Sequence, residues 1–198
     1  MGYRLRPSRR TAGWTLAAAL AAALALLALA PQTLPGMSPQ ELDRALAQLS
    51  EGIGPPTYYL GNTADGLALD AIAIPPTEEG NVQFLYGPCQ QSRVTLGDEG
   101  GCTNPLMVMT DPWNPIARTC QRLIPVLGVP TLIIDDGDLE LFTGAVRVHI
   151  MEDSGKRGFA HAVALAHALR PVGATTPPPR LPPPTAEVQE WVDSRCHR

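Results

Sequence analysis

The sequence predicts an α+β fold: an N-terminal transmembrane helix followed by a small, mainly antiparallel sheet domain packed with two or three helices. Three observations predict it. An uncharged apolar run fills residues 12–30, short β-branched and aliphatic runs separated by Pro and Gly fill residues 57–153, and segments of helical periodicity stand on either side of those runs. With 198 residues, 21 of them Pro and 18 Gly, there is room for one core domain with turns and appendages. The organisation that follows is a basic tail at 1–11, a membrane span at 12–30, a domain at 38–170 and a Pro-rich linker with a short helix at 171–198.

The first element is the membrane span. A helix over residues 12–30 would reach ~28 Å at ~1.5 Å per residue, close to the ~30 Å of a hydrocarbon core. Arg4, Arg6, Arg9 and Arg10 carry every charge before residue 31. Cationic flanks stay cytoplasmic, which puts everything after Ala30 outside. A cleaved export signal competes with a retained anchor, because Ala28-Leu29-Ala30 fits a small-x-small processing site. The apolar run exceeds the usual length of a signal core, and Pro31 would follow the cut, so the anchor is favoured. Set apart from the four arginines, the remaining 11 Lys and Arg face 19 Asp and Glu, a balance of −8. Such a body is repelled by phosphate backbones, which removes nucleic acid as a partner. The expected partners are the lipid bilayer, through residues 12–30, and an envelope protein.

Ser38-Pro39-Gln40-Glu41 reads as a helix start with a capping box, and Leu42, Ala45, Leu46 and Leu49 line one face. Gly52, Gly54, Pro55 and Pro56 end that helix. Strands are then expected at 57–60, 67–74, 81–86, 106–110, 129–134, 139–143 and 145–151. Asp135-Asp136-Gly137-Asp138 supplies a hairpin turn between two of them. In the last strand Val146, Val148 and Ile150 alternate with Arg147, His149 and Met151, which predicts one buried and one more exposed face. Asn114-Pro115 opens a second helix with Ile116, Cys120 and Leu123 on one side, stopped by Pro125 and Gly128. A third runs from about Gly155 to Leu169, with Phe159, Ala162, Val163, Ala166 and Leu169 inward. Seven of the fourteen residues from Pro171 to Pro184 are proline, a polyproline II spacer or a ligand for an aromatic groove. Val188, Trp191 and Val192 mark a last helix within 185–196.

Four cysteines acquire meaning in an oxidising compartment, where thiols end as disulfides. Cys89 with Cys102 is the favoured pair because it closes a short polar loop. Cys120 can replace either, and Cys196 is either the partner of Cys120 or a thiol free to join another chain. None of the spacings is that of a zinc site. His161 and His167 lie ~120° apart around a helix and cannot share an ion, and His161 reads as solvent-exposed. His149, on an exposed strand face, might combine with His167, yet neither has a defined partner. Asp135, Asp136, Asp138 and Glu140 are rich in oxygen but lack the spacing of a Ca²⁺ loop. Met107 and Met109 flank Val108, so both thioethers leave one strand face; such a pair suits Cu(I), and core packing explains it equally. Gly155-Lys156-Arg157-Gly158 lacks the glycine pattern of a phosphate loop. No catalytic residue, cofactor or metal set is assigned from these patterns.

Phe84-Leu85-Tyr86-Gly87-x-Cys89, Gly100-Gly101-Cys102-x-x-Pro105-Leu106 and Leu139-Glu140-Leu141-Phe142-Thr143-Gly144 together resemble extracytoplasmic proteins of actinobacterial type over about residues 57–170. The resemblance implies a compartment and brings no activity, cofactor or ligand. The function expected from the sequence is therefore a membrane-anchored, disulfide-stabilised domain that binds or scaffolds without catalysis. The alternatives are an envelope thiol-redox protein or hydrolase using cysteine and histidine, and a metal carrier built on Met107, Met109 and histidines.

Overall fold

A computed structural model describes residues 36–52, 55–74, 80–91, 102–114, 123–134, 138–152 and 158–195. The chain divides into two compact units, Met1–Gln32 and Thr33–Arg198, and every described residue belongs to the second. The 12–30 run therefore lies outside the described residues. Among the described residues no helix is long and apolar enough to cross a membrane.

The first described element is α1, Pro39–Glu51. Ser38 caps it: its backbone N–H donates to Glu41 Oε2 at 2.7 Å, and Glu41 N–H donates back to the Ser38 hydroxyl. The Ser38 hydroxyl, with the Ser38 backbone N–H, holds the Glu41 carboxyl below the usual carboxylate range. Ala45 is buried, and Leu42, Leu46 and Leu49 pack against the core, as the spacing predicts.

Eight strands then form one antiparallel sheet: β2 (Thr63–Ala64), β3 (Leu67–Ala73), β4 (Val82–Tyr86), β7 (Leu106–Pro112), β11 (Val146–Glu152), β10 (Asp138–Thr143), β9 (Val129–Ile134) and β8 (Leu123–Val126), in that spatial order. Two short pairs flank it. β5 (Gln90–Gln91) joins β6 (Cys102–Thr103), and β1 (Tyr58–Tyr59) joins β12 (Arg170–Pro171). The seven strands read from alternation are all present. Residues 135–137 lie outside the described set, but Asp138 opposite Ile134 shows the hairpin that joins β9 to β10.

The second predicted helix is corrected at its end. Residues 115–122 are not described, and Leu123 opens a strand rather than closing a helix. Pro125 sits inside that strand without breaking the sheet because β8 is an edge, paired only with β9, where a missing N–H costs no ladder bond.

The sheet has two unlike faces. On the first, Phe84, Tyr86, Leu106, Val108, Leu139, Leu141, Val148 and Ile150 are 0–2% exposed and form the main core. The helix α2, Phe159–Ala166, joins that core through Ala162 and Ala166, whose small side chains let its backbone approach the sheet. Tyr86 ties this core to β1, its hydroxyl accepting the Leu60 N–H at 2.8 Å. Gly61, at φ +95°, leaves room for the Arg170 guanidinium, which lies where a Cβ would stand and stacks over the Tyr59 ring.

The segment expected to be a spacer is instead a strap. Leu181 N–H donates to the Leu127 carbonyl at 3.1 Å, the Thr143 hydroxyl to the Pro182 carbonyl at 2.8 Å, and Thr185 N–H to the Gly144 carbonyl at 2.8 Å. Leu181 itself is buried in the main core. The strap delivers α3, Ala186–Arg195, to the sheet's second face, where Val188 and Val192 close a smaller core with Leu132 and Phe142. Trp113, Phe142 and Trp191 stack there edge to face or tilted, with centroids 5.1–5.9 Å apart. The domain therefore extends through residue 195, not 170.

Val188 is fully buried, so Val188→Ala should cost about 2 kcal/mol in urea unfolding; a free linker would lose nothing. Tyr86→Phe should cost about 1–3 kcal/mol by leaving the Leu60 N–H without an acceptor. Burial pushes the Tyr86 phenol well above its ordinary range, and Tyr58 in the same direction. The unfolded phenol ionises near pH ~10 while the folded one keeps its proton, so stability is full below that pH and falls above it. Unfolding measured at pH 8 and pH 11 should show that alkaline loss in the native chain and a smaller one in Tyr86→Phe.

Candidate functional site

The alternation that buries Val148 and Ile150 on the first face points Arg147 and His149 to the second. There the register sets Glu140 opposite His149 and Asp111 opposite Arg147. Four ionisable side chains from three strands meet as a result. Glu140, with 0% of its side chain exposed, lies 3.2 Å from Arg147 Nη1 and 3.0 Å from His149 Nε2. Arg147 reaches the other way with Nη2, donating to Asp111 Oδ2 at 2.9 Å. His149 Nε2 is 3.8 Å from the same Asp111 oxygen.

The cluster is ionic because its parts answer one another. A carboxylate moved from water into an apolar layer is costly unless paired, and Glu140 has a guanidinium on one side and an imidazole on the other. Arg147 is shared between two carboxylates, its fork held by both. Neighbouring Phe142 and Trp113 exclude water along one flank. The arrangement fixes the imidazole of His149 against a carboxylate through Nε2 and leaves Nδ1 as its second nitrogen.

Several expectations are corrected by this geometry. His149 is 8% exposed, not on an open face, because the charge cluster and its neighbours cover it. It cannot combine with His167, which is exposed at the end of α2 on the other side of the sheet. His161 is partly buried rather than solvated, its Nδ1 2.6 Å from Glu152 Oε1 and its Nε2 3.3 Å from Asp65 Oδ1. Asp138 and Glu140 do not converge on one ion: Asp138 Oδ1 accepts the Glu152 N–H at 3.2 Å, while Glu140 serves the cluster. Asp135, Asp136, Lys156 and Arg157 lie outside the described residues.

Cys89 is 6% exposed and disulfide-bonded. Cys102 opens β6, opposite Gln91, on the strand next to the one Cys89 leads into. Cys120 and Cys196 lie outside the described residues. A disulfide that exchanges with a substrate needs a sulfur that a thiolate can reach, and the buried Cys89 does not offer one. Among the described residues no group of three or more His, Cys, Asp and Glu is placed to hold a metal ion, a count that leaves thioethers aside. Met107 and Met109 stand half-buried on the second face, and Gln83 Nε2 donates to Met109 Sδ at 3.8 Å.

Two hollows of similar size open in the domain. One, of about 500 Å³, lies past the end of α1 and is lined by Leu49, Val82, Thr110, Pro112, Val146 and Val172 among others. Its buried polar group, the Thr110 hydroxyl, is already engaged by the Tyr58 backbone at 3.0 Å. The other, of about 480 Å³, lies between β8 and α3, with Ile124, Pro125, Pro130, Pro183 and Val192 in its walls. Comparison of the chain with protein-family models, with curated proteins and with solved structures finds no match.

Arg147→Met leaves Glu140 and Asp111 without their cation and should cost about 3–5 kcal/mol in equilibrium unfolding. Replacing Asp111, Glu140 and Arg147 together by apolar residues of similar volume should recover most of that loss.

Proposed function

We propose that this chain is a membrane-anchored extracytoplasmic domain that binds or scaffolds a partner without catalysing a reaction. The observation that carries the binding reading is the half-covered second face. α3 and the strap shield it over β8, β9 and β10, while the strip over β11, β7 and β4 keeps Met107, Met109, Met151, Gln83 and Leu85 partly accessible beside a fixed charge cluster. A rigid, partly apolar strip bordered by oriented charges is what recognition needs, since ordering costs have been met in folding.

The location rests on the sequence. Residues 12–30 act as the anchor, with Arg4, Arg6, Arg9 and Arg10 retained inside. The buried Cys89 disulfide supports an oxidising compartment, and Cys102 remains the partner that the sequence favours. The resemblance to extracytoplasmic actinobacterial proteins supports the same side of the membrane. Cys196 then stands outside, as the partner of Cys120 or of a thiol on a second chain.

A fusion of alkaline phosphatase behind Arg198 should be active in cells, and the full chain should sediment with membranes at an intact mass that includes residues 1–30. Phosphatase activity absent while a cytosolic fluorescent reporter at the same position is bright would contradict the location. A mature mass beginning near Pro31 would replace the anchor by an export signal.

A further inference from the structure

The register adds two donors to the Met107 and Met109 pair. On the second face, β11 sets His149 directly opposite Met109 and Met151 directly opposite Met107. Met107 and Met109 are two residues apart on one strand, as are His149 and Met151 on the next, so the four side chains leave the sheet from the corners of one small grid. Residues opposite across such a pair have Cβ atoms about 4.5–5.5 Å apart, and successive same-face residues are about 7 Å apart along the strand. Each Cβ then lies about 4 Å from the centre of the grid, within reach of an unbranched thioether arm.

Three thioethers and an imidazole are soft and borderline donors, the set that selects Cu(I) and its analogue Ag(I) over hard cations. The donor geometry is supported from behind. A ligating histidine typically gives its second ring N–H to a carboxylate, which fixes the tautomer and the ring plane. Glu140 Oε1 lies 3.0 Å from His149 Nε2, at contact distance but not aligned as an N–H···O bond in this structure, so a small turn of the ring would bring it into that role; Arg147 Nη1 holds Glu140 at 3.2 Å. Charge agrees as well. Asp111, Glu140 and Arg147 sum to −1, so a singly charged cation bound to neutral His149 brings the layer to electroneutrality.

We propose that Met107, Met109, Met151 and His149 through Nδ1 form a binding site for one soft monovalent cation, Cu(I) or Ag(I). The inference names a ligand for the accessible strip described above and rests on the reading of that strip as a binding surface. It does not depend on which side of the membrane the domain occupies. No electron transfer is involved, since the ion enters and leaves in the same oxidation state.

The test uses the full purified chain with free thiols blocked by N-ethylmaleimide, in chloride-free buffer. Silver nitrate is titrated while the methionine ε-methyl signals are followed by NMR, and Cu(I) buffered by bicinchoninate gives the affinity. The expected result is saturation at one equivalent, with the ε-methyls of Met107, Met109 and Met151 shifted and that of Met37 unmoved. Met37 is the internal control, because it stands outside the grid with its Sδ accepting the Ile72 N–H at 3.2 Å; Met109 Sδ gives up its longer, 3.8 Å contact with Gln83 Nε2 to bind the ion. The volume-conserving triple variant Met107→Leu, Met109→Leu, Met151→Leu should lose at least about 100-fold in affinity. Glu140→Gln should lose about 10- to 100-fold by releasing the imidazole. Unmoved signals for Met107, Met109 and Met151, or affinity retained by the triple variant, would overturn the site. The methyl readout needs only the native protein, so it decides even if the variants fold poorly. Silver bound by a chain that the reporter fusion places in the cytosol sinks the location alone; an exported chain that binds no silver sinks this site alone.

Discussion

The carboxylate of Glu140, fully removed from water in the middle strands of an eight-stranded sheet, constrains everything built around it. An ion in that position is tolerable only when paired; both its partners, Arg147 and His149, come from β11, and Asp111 of β7 holds Arg147 from the other side. The partners meet only in one register. A slip of one residue between β10 and β11 would carry Arg147 and His149 into the apolar core and expose Val148 and Ile150. The cluster therefore helps to specify the pairing that the main core alone would also favour.

The same constraint explains the unusual use of the C-terminal third. A charged centre beside Phe142, Leu132 and Trp113 leaves an apolar area that needs a cover on one side only. The proline strap, short of backbone donors and restricted in φ at each proline, is fastened at Leu127, Thr143 and Gly144 and lays α3 on that area. The other side of the second face is left to side chains that are neither core nor ordinary solvent-facing residues. Met107, Met109 and Met151 stand there, with His149 of the cluster directly opposite Met109.

Much of the scaffold was legible in the sequence because alternation and capping are local signals. Ser38 and Glu41 announce α1, and the inward set Val146, Val148 and Ile150 announces β11. Asp65-Gly66, with both residues at positive φ, makes the β2–β3 hairpin and carries the sequence signature of such a turn, though β2 was not among the expected strands. β8 was hidden because Pro125 reads as a stop unless its edge position is known. The strap was misread since a proline run has the same composition whether it spans solvent or a sheet; Leu181, an apolar residue between two proline triplets, was the available clue. The charge cluster was not legible, and of the methionine grid only the Met107 and Met109 corners were; Met151 and His149 join them through register alone. Glu140, Asp111 and the pair Arg147 and His149 come from three strands, and only register brings them together.

The account stands on Glu140 as an anion that orients His149 through Nε2. Nitrogen-15 spectra of the histidine rings at pH 8.5, with His149 assigned by its loss in His149→Gln, measure that directly. The expected result is a protonated Nε2 facing the Glu140 carboxylate and an Nδ1 that bears a lone pair. A ring protonated at Nδ1, or one averaging freely between tautomers, would contradict it.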